Sequence, residues 1–295
     1  VTRPTGGNDF DHFVITRFSA VFTPDQPPAD EAWLEYRLAF FVQASCAALE
    51  RQRPGSEFQW LVYFDDRCSP EFRARIDAIA DGLFEPIWTR EVFWSGVVPR
   101  DVAARSDAPF VVTTRLDSDD AVAIDFVESV QAAFDHQELL FVNFPRGLQV
   151  DRSGAVYRLD YPSNPFISMI ERRKEGLPPT TVFGAGPHTK VRRLGQLLEV
   201  ATHPLWMQVV HGSNLANGLH GTRTLPAEAN RWFDIDLPYR TQVARHRFVV
   251  EWVVQRVRRG ALWFREPRLA YRWAVARREG RRGTRLLPVW ESPHR

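Results

Sequence analysis

Cysteine is nearly absent from this chain: Cys46 and Cys68 are the two in 295 residues. No C-x-x-C occurs, which excludes a zinc knuckle and a dithiol redox motif. The usage fits a reducing cytoplasm, with at most one disulfide. Lysine is as scarce, at Lys174 and Lys190, so arginine carries the basic charge. No run of about 18 apolar residues occurs, which excludes a membrane-spanning helix. The opening V-T-R-P-T-G-G-N-D-F holds no apolar signal-peptide core. No G-x-x-x-x-G-K-[ST] loop is present to cradle a triphosphate. Internal repeats and low-complexity tracts are missing too.

What is present describes a globular protein with ample core material, 44% hydrophobic and 25% charged. The formal net charge is only +2, but it is unevenly spread. Between Pro238 and Arg285 fourteen arginines face three acids, so the remainder of the chain is net acidic.

The apolar pattern alternates strands with helices. H-F-V-I-T-R-F (12–18), F-Q-W-L-V-Y-F-D-D (58–66), F-E-P-I-W (84–88) and P-F-V-V-T-T-R-L (109–116) read as strands. Asp30 is placed to cap a helix carrying Trp33, Leu34, Leu38, Phe41, Val42 and Leu49 at helical spacing, stopped by Pro54-Gly55. Ser69 caps a second, with Pro70 at its first position. A helix over 124–134 and a strand over 139–144 follow. G-A-V-Y-R-L (154–159) reads as a strand, N-P-F-I-S-M-I-E-R (164–172) as a short helix or turn, and P-L-W-M-Q-V-V-H (204–211) as a strand ending in His211. From Asp236 onward the pattern is helical and basic. Such alternation predicts an α/β fold with a largely parallel sheet, whose ligands bind beyond the carboxyl ends of the strands.

Three polar clusters fall at such ends: Thr16-Arg17, Asp65-Asp66 and the run L-D-S-D-D at 116–120. Residues two apart on an extended chain point the same way, so Asp117 and Asp119 can share a face, with Arg115 beside them. Mg²⁺ and Mn²⁺ favour such hard oxygen ligands and are commonly completed by substrate phosphates. Against this stands a plainer reading, in which the carboxylates form a solvated turn or cap the following helix. His211 likewise reads either as a metal ligand or as a hydrogen-bonded structural residue. One of Asp65 and Asp66 can serve only the turn before Ser69, and Arg17 and Arg115 can be plain ion-pair partners.

L-D-S-D-D after an apolar strand resembles the metal-binding signature of GT-A-fold glycosyltransferases. In order along the chain, H-F-V-I-T-R-F, F-Q-W-L-V-Y-F-D, T-T-R-L-D-S-D-D-A, N-P-F and W-M-Q-V-V-H-G-S-N resemble the bacterial family described as "putative rhamnosyltransferases". The resemblance covers about residues 12 to 220 and implies a GT-A-like, Rossmann-related mixed sheet flanked by helices. It implies a domain over 12–235, with 236–295 a basic helical extension outside the match. It further implies that Thr16, Arg17 and Phe18 meet the nucleobase, that Asp65 or Asp66 meets base or ribose, and that Asp117 touches the ribose. Arg115, by its spacing two residues before Asp117, would pair with a carboxylate or a donor phosphate. Asp119 would bind Mn²⁺ or Mg²⁺, with Asp120 as competing ligand and His211 completing the site. Ser213 and Asn214 would allow close approach to the diphosphate.

The expected activity is metal-dependent transfer of a sugar, L-rhamnose by the resemblance, from a nucleoside-diphosphate donor to a hydroxyl of a glycan or small molecule. Inversion is expected, because activated L-rhamnose is usually a β-linked donor giving an α product. An inverting transferase needs a base near the acceptor hydroxyl. Glu171 is the choice over Asp160, Glu199 and Glu228. The arginine-rich segment 238–285 mixes Arg with Trp and Phe, as helices on anionic membranes do. A cytoplasmic protein touching the inner membrane face is expected from it. The alternative packs Trp252, Val253 and Val257 on the domain. No nucleic-acid motif accompanies it. The rival functions are a Mg²⁺-dependent nucleotidyltransferase or phosphate hydrolase, and a non-catalytic sugar- or membrane-binding protein.

Overall fold

The computed structural model describes residues 9–53, 57–211 and 219–235, with 249–250, 252–254 and 257 beyond them. Most of the expected basic extension, Ser213, Asn214 and the stop at Pro54-Gly55 lie outside the described residues. Val253 and Val257 are exposed.

Three β/α repeats and a fourth strand open the chain. Strand β1 (Phe10–Arg17) leads to α1 (Glu31–Phe40), which continues through a π-helical turn (Phe41–Cys46) into α2 (Ala47–Glu50). Next come β2 (Gln59–Asp65), α3 (Pro70–Ala80), β3 (Glu85–Thr89), α4 (Val97–Ala103) and β4 (Phe110–Asp117). Both expected caps form: Asp30 accepts the Trp33 N–H at 2.7 Å and Ser69 accepts that of Phe72 at 3.2 Å. The second half runs β5 (Ala121–Val122), α5 (Phe126–Gln131), β6 (Leu139–Asn143), β7 (Arg146–Asp151), β8 (Val156–Asp160) and β9 (Ile167–Arg172). It closes with α6 (Thr181–Gly184), a 3-10 turn (His188–Arg193), β10 (Gln196–Glu199), β11 (Trp206–Val210), β12 (Thr222–Arg223) and α7 (Pro226–Trp232).

Two sheets result. The larger has the order β10-β6-β9-β4-β1-β2-β3. It is parallel except for β9, which runs antiparallel to β4 and β6. This is the mixed, largely parallel sheet flanked by helices that the sequence implied. The smaller sheet, β12-β8-β7-β11-β5, was not anticipated. Alternation along β1 explains why the large sheet is covered on both faces. Val14 packs with Leu38, Phe41 and Trp60 on one side, and Phe13 and Ile15 with Val97, Val102 and Phe183 on the other.

One expectation is corrected here. Residues 164–172 form no helix; Ile167–Arg172 is the strand β9 near the middle of the sheet. Its Ser168 hydroxyl lies 2.6 Å from that of Thr114, which in turn lies 2.8 Å from His12 Nε2. This buried polar row across β9, β4 and β1 satisfies groups that would be costly unpaired. Burial holds the His12 imidazole neutral, with its pKa lowered to about 3.

In the small sheet, Gly147 lies opposite Trp206, and a Cβ at Gly147 would meet the indole at 2.2 Å. The indole stacks on Phe166 at 4.9 Å and donates to the Phe144 carbonyl at 2.7 Å. Glycine is therefore required sterically where β7 carries β11, the strand that delivers His211. Among the described residues no helix is long and apolar enough to cross a membrane.

Candidate active site at the carboxyl ends of the strands

Register sets the site. Arg17 pairs with Asp117 across β1 and β4, and with Tyr63 across β1 and β2, so these strands end together. β4 stops at Asp117, whose carbonyl accepts the Asp120 N–H at 3.2 Å to close a turn. The chain then enters β5, which runs antiparallel to β11, with Ala121 facing Met207. Moving forward along β11 from Met207 therefore moves backward through the acidic turn. That antiparallel return brings His211 to Asp119.

Asp119 is the centre of the cluster. Its Oδ2 lies 2.9 Å from His211 Nε2 and accepts Arg37 Nη1 at 2.8 Å. Arg37 Nη2 donates to Ser118 Oγ at 2.8 Å, so one guanidinium spans the turn. The helical segment grips the same turn a second time, through Ser45 donating to the Asp120 carbonyl at 2.8 Å. Ser45 belongs to the π-helical turn, a distortion often found at functional sites. His211 is fixed on its other side: Phe40 stacks on it at 4.2 Å, and Tyr36 Oη lies 3.3 Å from Nδ1 while donating to the His211 carbonyl at 3.0 Å. Beside it is a cleft of about 220 Å³ bordered by Phe40, Asp151, Arg152 and His211.

Asp117 has partners of its own. Arg17 Nη2 donates to it at 2.9 Å and Arg115 Nη2 at 2.9 Å. Burial pushes its pKa up, but the two arginines outweigh burial and hold it at about 2. Phe22, Phe93, Trp94 and Phe183 surround the Arg17 guanidinium, with ring centroids 5.1 to 5.8 Å away. Among the described residues Arg17 Nε and Arg37 Nε are buried donors without partners.

Asp120 differs from both neighbours. It is buried, and its Oδ1 accepts the Val209 N–H at 3.1 Å, pinning β11. Burial, then Asp119 and Asp117, push its pKa well up. Asp119, Asp120 and His211 therefore do not form a three-ligand set, and among the described residues no three His, Cys, Asp or Glu gather to hold a metal. Asp119 with His211 fits a metal on its own terms. Oδ2 and Nε2 are hydrogen-bonded to each other at 2.9 Å in this structure, and they are the oxygen and imidazole donor types that such cations take. Arg37 supplies the positive charge at Asp119 in this structure.

Several expected contacts are committed elsewhere. Thr16 is fully buried and accepts Trp60 Nε1 at 2.9 Å. Phe18 is buried between Phe41, Phe64 and Phe72 as core. Asp65 is locked by Arg67, whose Nη2 and Nε both donate to it. Burial raises its pKa, but those bonds bring it below the ordinary value. Asp66 takes Arg90 Nε at 2.5 Å on the surface.

Glu171 is corrected outright. It pairs with Val111 near the start of β4, six residues from Asp117 and about 20 Å by strand rise. Its carboxylate accepts the N–H groups of Thr180 and Thr181 at 2.8 and 2.7 Å. Burial raises its pKa, and those two N–H groups oppose the shift. The expectation of a short helix or turn here left no place for the antiparallel direction of β9, which carries Glu171 to the far end of the sheet. Glu199 and Glu228 are also engaged, with Arg192 and Ser163 N, and with Arg158 and Thr224.

Sequence reasoning missed Tyr36, Arg37 and Phe40. The signal was there: a polar pair inside an apolar helix, with Phe40 four residues on and on the same face.

A family model described as "Putative rhamnosyl transferase" matches residues 26–223. No curated protein matches the chain. Similar solved structures include S. aureus TarS 1-349 in complex with UDP, at 16% identity and TM-score 0.40, covering 68% of this chain and 60% of that one. The same protein in complex with UDP-GlcNAc aligns at 14% identity and TM-score 0.39, over 71% and 60%. HddC from Yersinia pseudotuberculosis complexed with GMP-PN aligns at 11% and 0.35, over 68% and 90%. The chain thus spans 60% of the length of TarS 1-349.

Proposed function

This chain belongs to the family described as "Putative rhamnosyl transferase", and from that premise we propose that it transfers a sugar from a nucleoside diphosphate to a hydroxyl. The sugar is L-rhamnose, the acceptor a glycan or small molecule, and the anomeric carbon inverts. The observation that carries the reading is the Asp119–His211 pair, 2.9 Å apart at the carboxyl ends of the strands. A divalent cation, Mn²⁺ or Mg²⁺, held by these two residues would neutralise charge on the departing diphosphate.

The chain's own groups supply the rest. Arg17 and Arg115 flank Asp117 with donors suited to phosphate oxygens. Asp117, held ionised, accepts from a ribose hydroxyl. Asp120 ties the acidic turn to β11 and so keeps His211 in register. Tyr36 and Phe40 hold the imidazole plane, as outer partners of metal-binding histidines do. The arginine-rich segment 238–285 suits the protein to an anionic membrane face on the cytoplasmic side, where lipid-linked acceptors lie.

A thermal-shift panel of UDP, GDP and dTDP and their sugars, with and without Mn²⁺, tests this. Binding to the native state adds about 2.7 kcal/mol at a hundredfold excess over Kd. A shift with one base that needs Mn²⁺ and vanishes in Asp119→Ala is expected. No shift with any diphosphate sinks the reading.

A further inference from the structure

A second cleft opens on the Asp117 side of the turn, about 410 Å³ in volume. Trp94, Arg115, Phe183 and His188 line it, with Ile167 and Val182 as apolar wall. Trp94 is 53% exposed, a large ring face offered to whatever enters. Phe183 is buried, locked edge-on against Phe93 at 4.9 Å. An apolar cleft with a few convergent polar groups is the usual form of a small-molecule site. Arg115 joins it to the acidic turn, since the same guanidinium holds Asp117.

His188 stands at the start of the 3-10 turn, and its Nδ1 lies 2.7 Å from the Ser163 carbonyl oxygen. A carbonyl only accepts, so Nδ1 carries the proton and the Nε2 lone pair is free. Nε2 has no hydrogen-bond partner among the described residues. Burial lowers the imidazole pKa from its ordinary value and Arg115 adds to that, while the Ser163 carbonyl and Asp117 oppose it. The ring is therefore neutral near pH 7, as a base must be. No other residue lining the cleft can take a proton there. Asp117 is already taken, with Arg17 Nη2 and Arg115 Nη2 each donating to it at 2.9 Å.

We propose that this cleft seats the acceptor, a hydroxyl-bearing sugar ring laid on Trp94, and that His188 Nε2 is the general base of the transfer. The proposal rests on the transferase reading above. In the step, the acceptor O–H gives its proton to Nε2 while its oxygen bonds to the anomeric carbon. The bond from that carbon to the diphosphate oxygen breaks, and the nucleoside diphosphate leaves with the electron pair. Water entering the cleft reacts the same way, so slow donor hydrolysis depends on His188 as well.

The test compares wild type with His188→Asn and His188→Ala in Mn²⁺. The probes are UDP-, GDP- and dTDP-linked sugars, dTDP-β-L-rhamnose among them, with water or a p-nitrophenyl glycoside as hydroxyl. Asn keeps a donor for the Ser163 carbonyl but has no base at the Nε2 position, and thermal melting checks that both variants fold. The expected result is donor binding unchanged and diphosphate release slowed about 10²- to 10⁴-fold. The acid limb of the wild-type pH profile vanishes in both variants, and added imidazole restores part of the rate to His188→Ala. Release at the wild-type rate overturns the proposal, as does a loss confined to donor binding. A wild type that neither binds nor cleaves any donor overturns the transferase reading, and this proposal with it.

Discussion

His211 Nε2 lies 2.9 Å from Asp119 Oδ2, although 92 residues separate them in the chain. The contact exists because β11 returns antiparallel to β5, and it joins the two donors that the proposal assigns to a cation. His211→Ala removes one donor and the stacking partner of Phe40. Transfer should fall by at least about 10²-fold, the scale of losing one preorganised electrostatic contact. Isothermal titration should show weaker Mn²⁺ binding in the presence of nucleoside diphosphate.

Arg37 donates to the carboxylate oxygen at which the proposed cation would bind. The Arg37–Asp119 pair is buried, with side chains 14% and 8% exposed. Removing one member of such a pair costs about 3–5 kcal/mol, because the other charge is stranded. Arg37→Met should lose that much in chelator, measured by urea denaturation, and regain part of it when Mn²⁺ is added.

Asp117 gives the fold a defined acid sensitivity. Its folded pKa of about 2 lies below the value near 3.9 of an unfolded Asp, so its stabilisation is complete above about pH 4. That stabilisation is lost as pH falls through about 2. The side chain is 30% exposed, which limits the contribution to about 1–2 kcal/mol. Unfolding curves between pH 5 and pH 2 should slope less steeply in Asp117→Asn than in wild type.

Glu171 is a structural carboxylate. Glu171→Ala leaves the Thr180 and Thr181 N–H groups without their acceptor, and a buried unpaired donor costs about 1–3 kcal/mol. The expected result is a lower melting temperature with the transfer rate per folded molecule unchanged. A large kcat loss at unchanged stability would return Glu171 to the chemistry.

The chain displayed its first half openly. β1, β2 and β4 are rich in aromatic and β-branched residues and end in charge, and Asp30 and Ser69-Pro70 announce their helices by side-chain chemistry alone. α4 was hidden because Pro99 stands inside it and its signal is only seven residues long. β9 was misread because Ile167, Ile170 and Glu171 also fit helical spacing; its place between β4 and β6 is a tertiary fact. The acidic turn was legible as a candidate site. The different tasks of its carboxylates were not, since they depend on Arg17, Arg37, Arg115 and Val209 arriving from other elements. His188 was silent for the same reason: only the fold sets it beside Arg115.

The most direct test is diphosphate release from nucleotide sugars by wild type, in Mn²⁺ and then in EDTA. Release from one nucleotide class that stops in EDTA and is absent from Asp119→Ala is the predicted result. Release at equal rates with and without chelator would contradict a metal held by Asp119 and His211. No release from any donor would contradict the transferase itself.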